Sequence, residues 1–250
     1  MEHLNTMESS NLKPIELNFK DIRKDRQTIN NKIVYEILRE GNLERLNKKN
    51  INVEEYKRTL EDLELTKEKF ISKCKDDNLF ALLASRNISI NASRQGSKDE
   101  TVQIRTCNLI AEKCGVSIEI LSKTELRPTK DGSIVSKLEM KNKEITMDCC
   151  LKSFDATISG KINGFISAKV AYGNGGHQDN VFEEMDTLAE WWKKYKSGSE
   201  ELLVILIDTD LINKITTIKE KYRSVNNVKI FNHIEFQQYM ISKYYIDESI

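Results

Sequence analysis

The sequence has few prolines, no long apolar run and no excess of either charge. Its two prolines, Pro14 and Pro128, form no Pro-rich linker between domains. No apolar stretch approaches the roughly 20 residues of a membrane-spanning helix, and the first residues, MEHLNTMESSNLKP, lack the basic start and apolar stretch of a signal peptide. We therefore expect a cytoplasmic protein with no membrane partner. Lys and Arg together number 39, and Asp and Glu together also number 39. This balance argues against a protein that coats nucleic acid with a uniformly basic surface, but it does not exclude a locally basic cleft.

The cysteines are few and irregularly spaced. Five occur, an odd number, and no C-x-x-C pair is present. This pattern indicates neither a disulfide framework nor a zinc site. We expect all of them to be small core residues in a reducing compartment: Cys74, Cys107, Cys114, Cys149 and Cys150.

The first part of the chain has the hydrophobic period of helices. Residues 20–41 repeat isoleucine at helical spacing and end at Gly41, a residue typical of helix C-termini. Asn52 and Glu55 form a capping-box pattern that opens a second long helix, with a break allowed within it. An apolar stretch over 78–86 predicts a short helix. Residues 1–85 are therefore predicted to form a helical N-terminal subdomain.

An irregular basic loop is predicted over 88–96, followed by one more helix. Ser97 and Glu100 have the spacing of a capping box for this helix, which runs to Gly115 with an apolar face inward. The capping box accounts for both residues, so no other role is assigned to them.

Beyond Gly115 the hydrophobic period changes from that of helices to that of strands. Strand-like runs cover 116–121, 133–140, 144–158 and 164–172. A helix over 177–196 and the apolar strand LLVILID then complete a βαβ unit, and a second crossover ends in a helix capped by Asn232 and Glu235. The predicted fold class is α/β, with a mixed central β-sheet flanked by helices over 86–250 and the helical portion before it.

An acid and a lysine fall on two adjacent strand-like runs. If residues 154–158 pair antiparallel with 165–169, alternation places Ser167 and Lys169 on one face, and a modest stagger brings Asp155 alongside. Phosphodiester hydrolysis needs such a pair, because a carboxylate can hold a divalent cation while a lysine orients the attacking water. Asp155 and Lys169 are therefore candidate catalytic residues.

These residues resemble the motif of the PD-(D/E)xK nuclease superfamily, and of its type II restriction endonucleases in particular. The family has an acid on one strand and acid-x-Lys on the next, where this chain has Asp155 and Ser167-Ala168-Lys169. Phe154 replaces the usual proline, and Ser167 replaces the second acid and so removes a metal ligand. Some members take that carboxylate from the following helix, with thirteen residues between it and the lysine, which here gives Glu183, with Glu184 as its neighbour.

The resemblance implies a function and a set of ligands. It implies Mg²⁺-dependent, sequence-specific hydrolysis of double-stranded DNA, with Mn²⁺ able to substitute, by a prokaryotic cytoplasmic homodimer of a restriction-modification system. Asp155 and Glu183 or Glu184 would hold the metal, Lys169 would position water and Ser167 would line the site. Two alternatives remain open: a repair or structure-specific nuclease on the same core, and a non-catalytic DNA-binding protein, which the serine at 167 suggests.

Two loops are candidates for DNA contact. Arg94, Gln95 and Lys98 have side chains that bind phosphate oxygens or base edges. The second loop is the glycine-rich one that follows Lys169 and leads into a predicted helix, whose first amide groups favour anions. The candidate hydrogen-bond donors there are Asn174, His177 and Gln178.

The remaining polar and aromatic candidates are interpreted as structural. The basic residues of 20–26 alternate with acids and indicate a solvated mixed face. Trp191 and Trp192 are expected in the core, Asp208 and Asp210 are expected to cap the helix that follows them, and His233 is expected to be uninvolved.

Overall fold

The computed structural model describes residues 12–122, 125–172 and 177–246. They form two compact units, one of residues Asn18–Gln95 and one made of the described residues before Asn18 and from Gly96 onward. The sequence-based boundary at residue 85 falls inside a helix of the first unit. No helix in the described part of the chain is long and apolar enough to cross a membrane.

The first unit is helical, as predicted. Its helices are α1 (Phe19–Glu40), α2 (Val53–Asp62), α3 (Lys67–Asp76) and α4 (Asn78–Ile88). Gly41 ends α1 in the left-handed region at φ 69°, where a side chain would be strained. The long helix expected after Asn52 is broken into α2 and α3, and the Thr66 side chain caps α3 by accepting the Lys69 N–H.

An apolar core holds these four helices together. Its largest buried members include Phe70, Leu38 and Ile88, and the ring of Phe70 packs edge-on against Tyr56 and Phe80. This unit therefore has a core of its own.

The second unit is built on a mixed five-stranded sheet, in agreement with the predicted fold class. Its strands are β1 (Val116–Ile120), β4 (Ala156–Gly160), β5 (Gly164–Ala171), β6 (Leu202–Thr209) and β7 (Val228–Phe231), in that order across the sheet. β1, β4 and β5 pair antiparallel, whereas β5, β6 and β7 pair parallel. The predicted hairpin and both predicted crossovers are thus present.

Helices cover both faces of this sheet: α5 (Gly96–Lys113), α7 (His177–Lys196), α8 (Ile212–Lys221) and α9 (His233–Tyr244). One apolar cluster joins α5 and α9 to the sheet, and another joins α7 and α8 to it. β6 is buried on both faces because Val204 and Leu206 enter the first cluster while Leu203 and Ile205 enter the second. The confirmed core residues Trp191 and Trp192 belong to the α7 side.

Two of the predicted strands are wrong over part of their length. Residues 133–140 form a short strand, β3 (Ile134–Ser136), paired with β2 (Leu126–Pro128), and then helix α6 (Lys137–Asn142). Ser136 and Glu139 make a full capping box there, which ends the strand. In 144–158 the strand begins only at Ala156, after a 3₁₀ turn over Met147–Cys149.

Candidate active site

Asp155 and Lys169 meet at the start of the β4–β5 ladder. The Asp155 N–H donates to the Ile166 carbonyl at 2.8 Å, and the Ala168 N–H donates to Asp155 Oδ2, also at 2.8 Å. These two bonds fix the carboxylate against the backbone of β5, where Lys169 Nζ lies 3.8 Å from Oδ2. The stagger anticipated from the sequence therefore exists.

Glu100 is a third member of the site that the sequence reasoning missed. Its Oε1 lies 3.5 Å from Lys169 Nζ. The capping-box interpretation was wrong because α5 begins at Gly96, which places Ser97 inside the helix. A signal did exist: Glu100 precedes Ile104 and Cys107 by four and seven residues, so it extends the buried face of α5 by one turn.

Lys169 is almost fully buried between these carboxylates. Its side chain is 8% exposed, against 28% for Asp155 and 21% for Glu100. Burial raises the pKa of Asp155, although attraction by Lys169 and the hydrogen bond from Ala168 oppose this rise. Burial also raises the pKa of Glu100, again against the attraction of Lys169 and with a contribution from Asp155. The site therefore holds two desolvated acids around one cation.

A cleft beside Lys169 brings the other predicted catalytic residues together. It has a volume of about 400 Å³ and is lined by Ser167, Lys169, Glu183 and Glu184 among others. Side chains alternate between the two faces of a strand, so Phe165, Ser167 and Lys169 lie on the same face of β5. Phe165 packs against the apolar cluster that contains α7, so this face is the one next to α7. Helix α7 supplies the two glutamates to the lining of the same cleft.

The two glutamates differ in their surroundings. Glu184 accepts two hydrogen bonds from Lys152 Nζ, at 2.9 and 3.0 Å, and its charge contributes to the raised pKa of Asp155. Glu183 is exposed and also lines the cleft. Glu184 is thus the one whose electrostatic coupling to Asp155 is evident.

Asp155 and Glu100 are the two carboxylates beside Lys169 that would hold a divalent cation if one binds there. No group of three or more His, Cys, Asp or Glu side chains in the described part of the chain is arranged to hold a metal. Asp155 and Glu100 nevertheless both reach Lys169, and Mg²⁺ in proteins is often bound through one or two carboxylates with waters completing its octahedron. The positive charge of a bound cation would attract both carboxylates and so oppose the rise in pKa that burial causes.

Aromatic packing supports the strand that carries Asp155. Phe154, which stands where the resembled family has proline, is buried and stacks on Phe165 with ring centroids 4.6 Å apart. Trp192 packs edge-on against both rings. The phenylalanine therefore anchors the start of β4 in the core and holds Asp155 in position.

One structural expectation near the site was wrong. Asp208 does not cap α8: it is buried, its Oδ2 accepts from Gln103 Nε2 at 2.6 Å, and its Oδ1 lies 2.7 Å from His233 Nδ1. His233 is thus part of a buried hydrogen-bond network. Its Nε2 accepts the Leu17 N–H at 3.0 Å, so in the neutral ring the proton lies on Nδ1 and is donated to Asp208. Gln103 also donates to the Lys169 carbonyl at 3.4 Å, which links this network to β5.

The predicted DNA-contacting residues have different outcomes. Arg94 and Lys98 are exposed. Gln95 is buried, and its Oε1 accepts from Asn30 Nδ2 at 3.2 Å, so it is not directed toward solvent. Asn174 lies outside the described residues, as do the side chains of His177 and Gln178.

Comparison of this chain with known protein families, with curated proteins and with solved structures gave no match. What the protein does therefore has to follow from the residues around Lys169 and from their chemistry.

Proposed function

We propose that the protein is a Mg²⁺-dependent nuclease of the PD-(D/E)xK type that cuts double-stranded DNA at a specific sequence, as a type II restriction endonuclease does. The observation that carries this proposal is the position of Lys169 Nζ, 3.8 Å from Asp155 Oδ2 and 3.5 Å from Glu100 Oε1, beside an open cleft. An acid and a lysine on adjoining strands form the arrangement that the sequence resemblance implies. The mixed sheet with flanking helices agrees with that core.

The residues of the site can divide the work of hydrolysis. Asp155, paired with Glu184, Glu183 or Glu100, would hold the cation, which supplies Lewis acidity at the scissile phosphate when bound. Lys169 would orient the attacking water, and Ser167 would line the cleft. The water oxygen would form the new bond to phosphorus and lose a proton to solvent, while the P–O3′ bond would break and the leaving 3′ oxygen would take up a proton from solvent. The products are a 5′-phosphate and a 3′-hydroxyl.

The finer parts of the proposal follow from the resemblance. A two-fold DNA site matches a two-fold protein, so we propose a homodimer, in the cytoplasm of a prokaryote and within a restriction-modification system. The exposed side chains of Arg94 and Lys98 are suited to phosphate contacts. Light scattering after gel filtration would test the dimer directly.

The decisive experiment is digestion of bacteriophage DNA with the purified protein in Mg²⁺, beside an EDTA control. Lys169→Ala and Asp155→Ala should give no discrete fragments yet retain duplex binding. Lys113→Ala, which removes an exposed lysine at the end of α5, is the matched control and should cut normally. Cutting by Lys169→Ala at a near wild-type rate would overturn the site. A smear in place of discrete bands would indicate a nuclease of lower specificity.

One observation favours a second function, a DNA-binding protein with an inactive nuclease core. Ser167 stands where the resembled family has an acid, and no three-acid cluster is arranged for a metal among the described residues. Specific duplex binding without cleavage in either Mg²⁺ or Mn²⁺ would select this function over the first.

A further inference from the structure

The helical unit contains a cleft with a strongly basic wall. This cleft has a volume of about 590 Å³ and lies wholly within residues 18–95. Five cationic side chains line it, against the single carboxylate of Glu55; the cations are Lys20, Arg23, Lys24, Arg86 and Arg94. Glu55 is itself 3.2 Å from the Arg58 guanidinium, which offsets its charge. The chain as a whole is neutral, so this is a local concentration of positive charge.

One face of α1 forms much of the wall. The lining residues of this helix are separated by three or four residues, the spacing of a single helical face, and they are Lys20, Arg23, Lys24, Gln27 and Asn31. Asp21 and Asp25, which alternate with them in the sequence, do not line the cleft. The sequence-based interpretation of residues 20–26 as one mixed, solvated face was therefore incomplete, because the cleft is lined by basic residues of α1 and not by these two acids.

The floor of the cleft is fixed by a network of neutral polar groups. Gln27 Nε2 donates to Asn31 Oδ1 at 2.9 Å and to Ser89 Oγ at 3.0 Å, and Gln27 Oε1 accepts the Ala92 N–H at 2.8 Å. This last bond ties the 3₁₀ turn Ala92–Arg94 to α1. The turn that carries Arg94 is thus held in place before any ligand binds.

Most of the lining cations are exposed and have no internal partner. For the described part of the chain, no hydrogen bond or ion pair engages the side chains of Lys20, Lys24, Arg86 or Arg94, and all four are exposed. Cations used for stability normally lie against carboxylates, as Lys219 does against Glu235 at 2.6 Å. Unpaired cations above a rigid polar floor instead suit a ligand that carries several negative charges.

We propose that this cleft binds the phosphate backbone of duplex DNA. Several cations spread over a helix face, a second helix and a turn match a row of phosphates better than one compact anion, and the amides and hydroxyls of the floor can donate to phosphate oxygens. The inference rests on the proposed function, because the polyanion is taken to be the nuclease substrate. It assigns to the helical unit a role in holding that substrate.

The test measures binding of a fluorescent duplex to the whole protein in EDTA, at several salt concentrations. The variant is Arg86→Ala with Arg94→Ala, and the matched control is Lys32→Ala with Lys49→Ala, two exposed lysines of the same unit that do not line the cleft. The first pair should lower the slope of log K against log salt by about two units, because each phosphate contact contributes roughly 0.9 units. The control pair should leave the slope unchanged, and thermal melting verifies that both proteins are folded.

The outcomes separate this inference from the proposed function. An unchanged slope in the Arg86/Arg94 variant would overturn the cleft assignment, even if the protein cuts DNA. A reduced slope would support it, even if the wild-type protein does not cut in Mg²⁺ or Mn²⁺, a result that overturns the nuclease instead. Release of the duplex by millimolar inorganic phosphate at constant ionic strength would identify a site for a small anion and overturn the assignment to DNA.

Discussion

Lys169 Nζ lies 3.5 Å from Glu100 Oε1, so the ammonium on β5 is paired with a carboxylate from α5 as well as with Asp155. A buried lysine with one acidic neighbour would be an ordinary ion pair. Here two desolvated acids share one ammonium, so the pair differs from a simple buried salt bridge. In the proposed function, these acids are the candidates for holding the divalent cation.

The first prediction concerns Glu100. Glu100→Gln keeps the size of the side chain and removes the charge, so we expect DNA cleavage in Mg²⁺ to fall by about 10²-fold or more, the usual cost of losing one electrostatic contact to a transition state. Duplex binding in EDTA should stay unchanged. Glu112→Gln, at an exposed position of the same helix, is the control and should cut normally. If Glu100→Gln cuts like wild type, Glu100 only balances the charge of Lys169.

The second prediction distinguishes two neighbours on α7. Glu184 is coupled electrostatically to Asp155, whereas Glu183 is exposed on the same cleft. Glu184→Ala should therefore reduce cleavage more than Glu183→Ala, by about tenfold or more if one charged contact is lost. Parallel cleavage rates over a Mg²⁺ titration provide the measurement. The reverse order would name Glu183 as the ligand, as the thirteen residues between it and Lys169 suggest.

Much of the second unit follows from hydrophobic periodicity. β5 and β6, the helix between them and the capped final helix were all predictable, because each has a strong pattern over many residues. The pairing of Asp155 with Lys169 was predictable as well, since a short turn between two strands leaves few registers.

The parts that failed depend on tertiary contacts. Ser97 and Glu100 match a capping box, but the helix already begins at Gly96, and Glu100 lies beside Lys169. Asp208 likewise follows a strand and precedes a helix, yet packing against α5 and α9 gives it Gln103 and His233 as partners. Local sequence cannot reveal a partner that is a hundred residues away in the chain.

The third prediction tests the Asp208 network as a structural element. Asp208→Ala would leave Gln103 Nε2 and His233 Nδ1 in the interior without their acceptor, and we expect a loss of about 3 kcal/mol in the free energy of unfolding. Urea unfolding of the variant provides the value. Glu220→Ala, which removes an exposed carboxylate 3.7 Å from Arg223, should cost less than about 1 kcal/mol. Equal losses in the two proteins would contradict a special role for the buried network.

The fourth prediction concerns the cysteines, which were all expected in the core. Cys149 is instead exposed, whereas burial raises the pKa of the Cys74 thiol to about 11 and also raises that of Cys107 and Cys114. The thiolate is the reactive form, so at pH 8 a thiol reagent should modify Cys149 rapidly and the three buried residues only after unfolding.

The measurement is the time course of reaction with a chromogenic disulfide reagent at pH 8. Cys149→Ser should remove the fast phase, and Cys74→Ser should leave it intact. Cys150 is half-buried and burial raises its pKa, so it should react more slowly than Cys149. A fast phase that survives in Cys149→Ser would mean that the 3₁₀ turn over Met147–Cys149 opens in solution and presents Cys150 as readily.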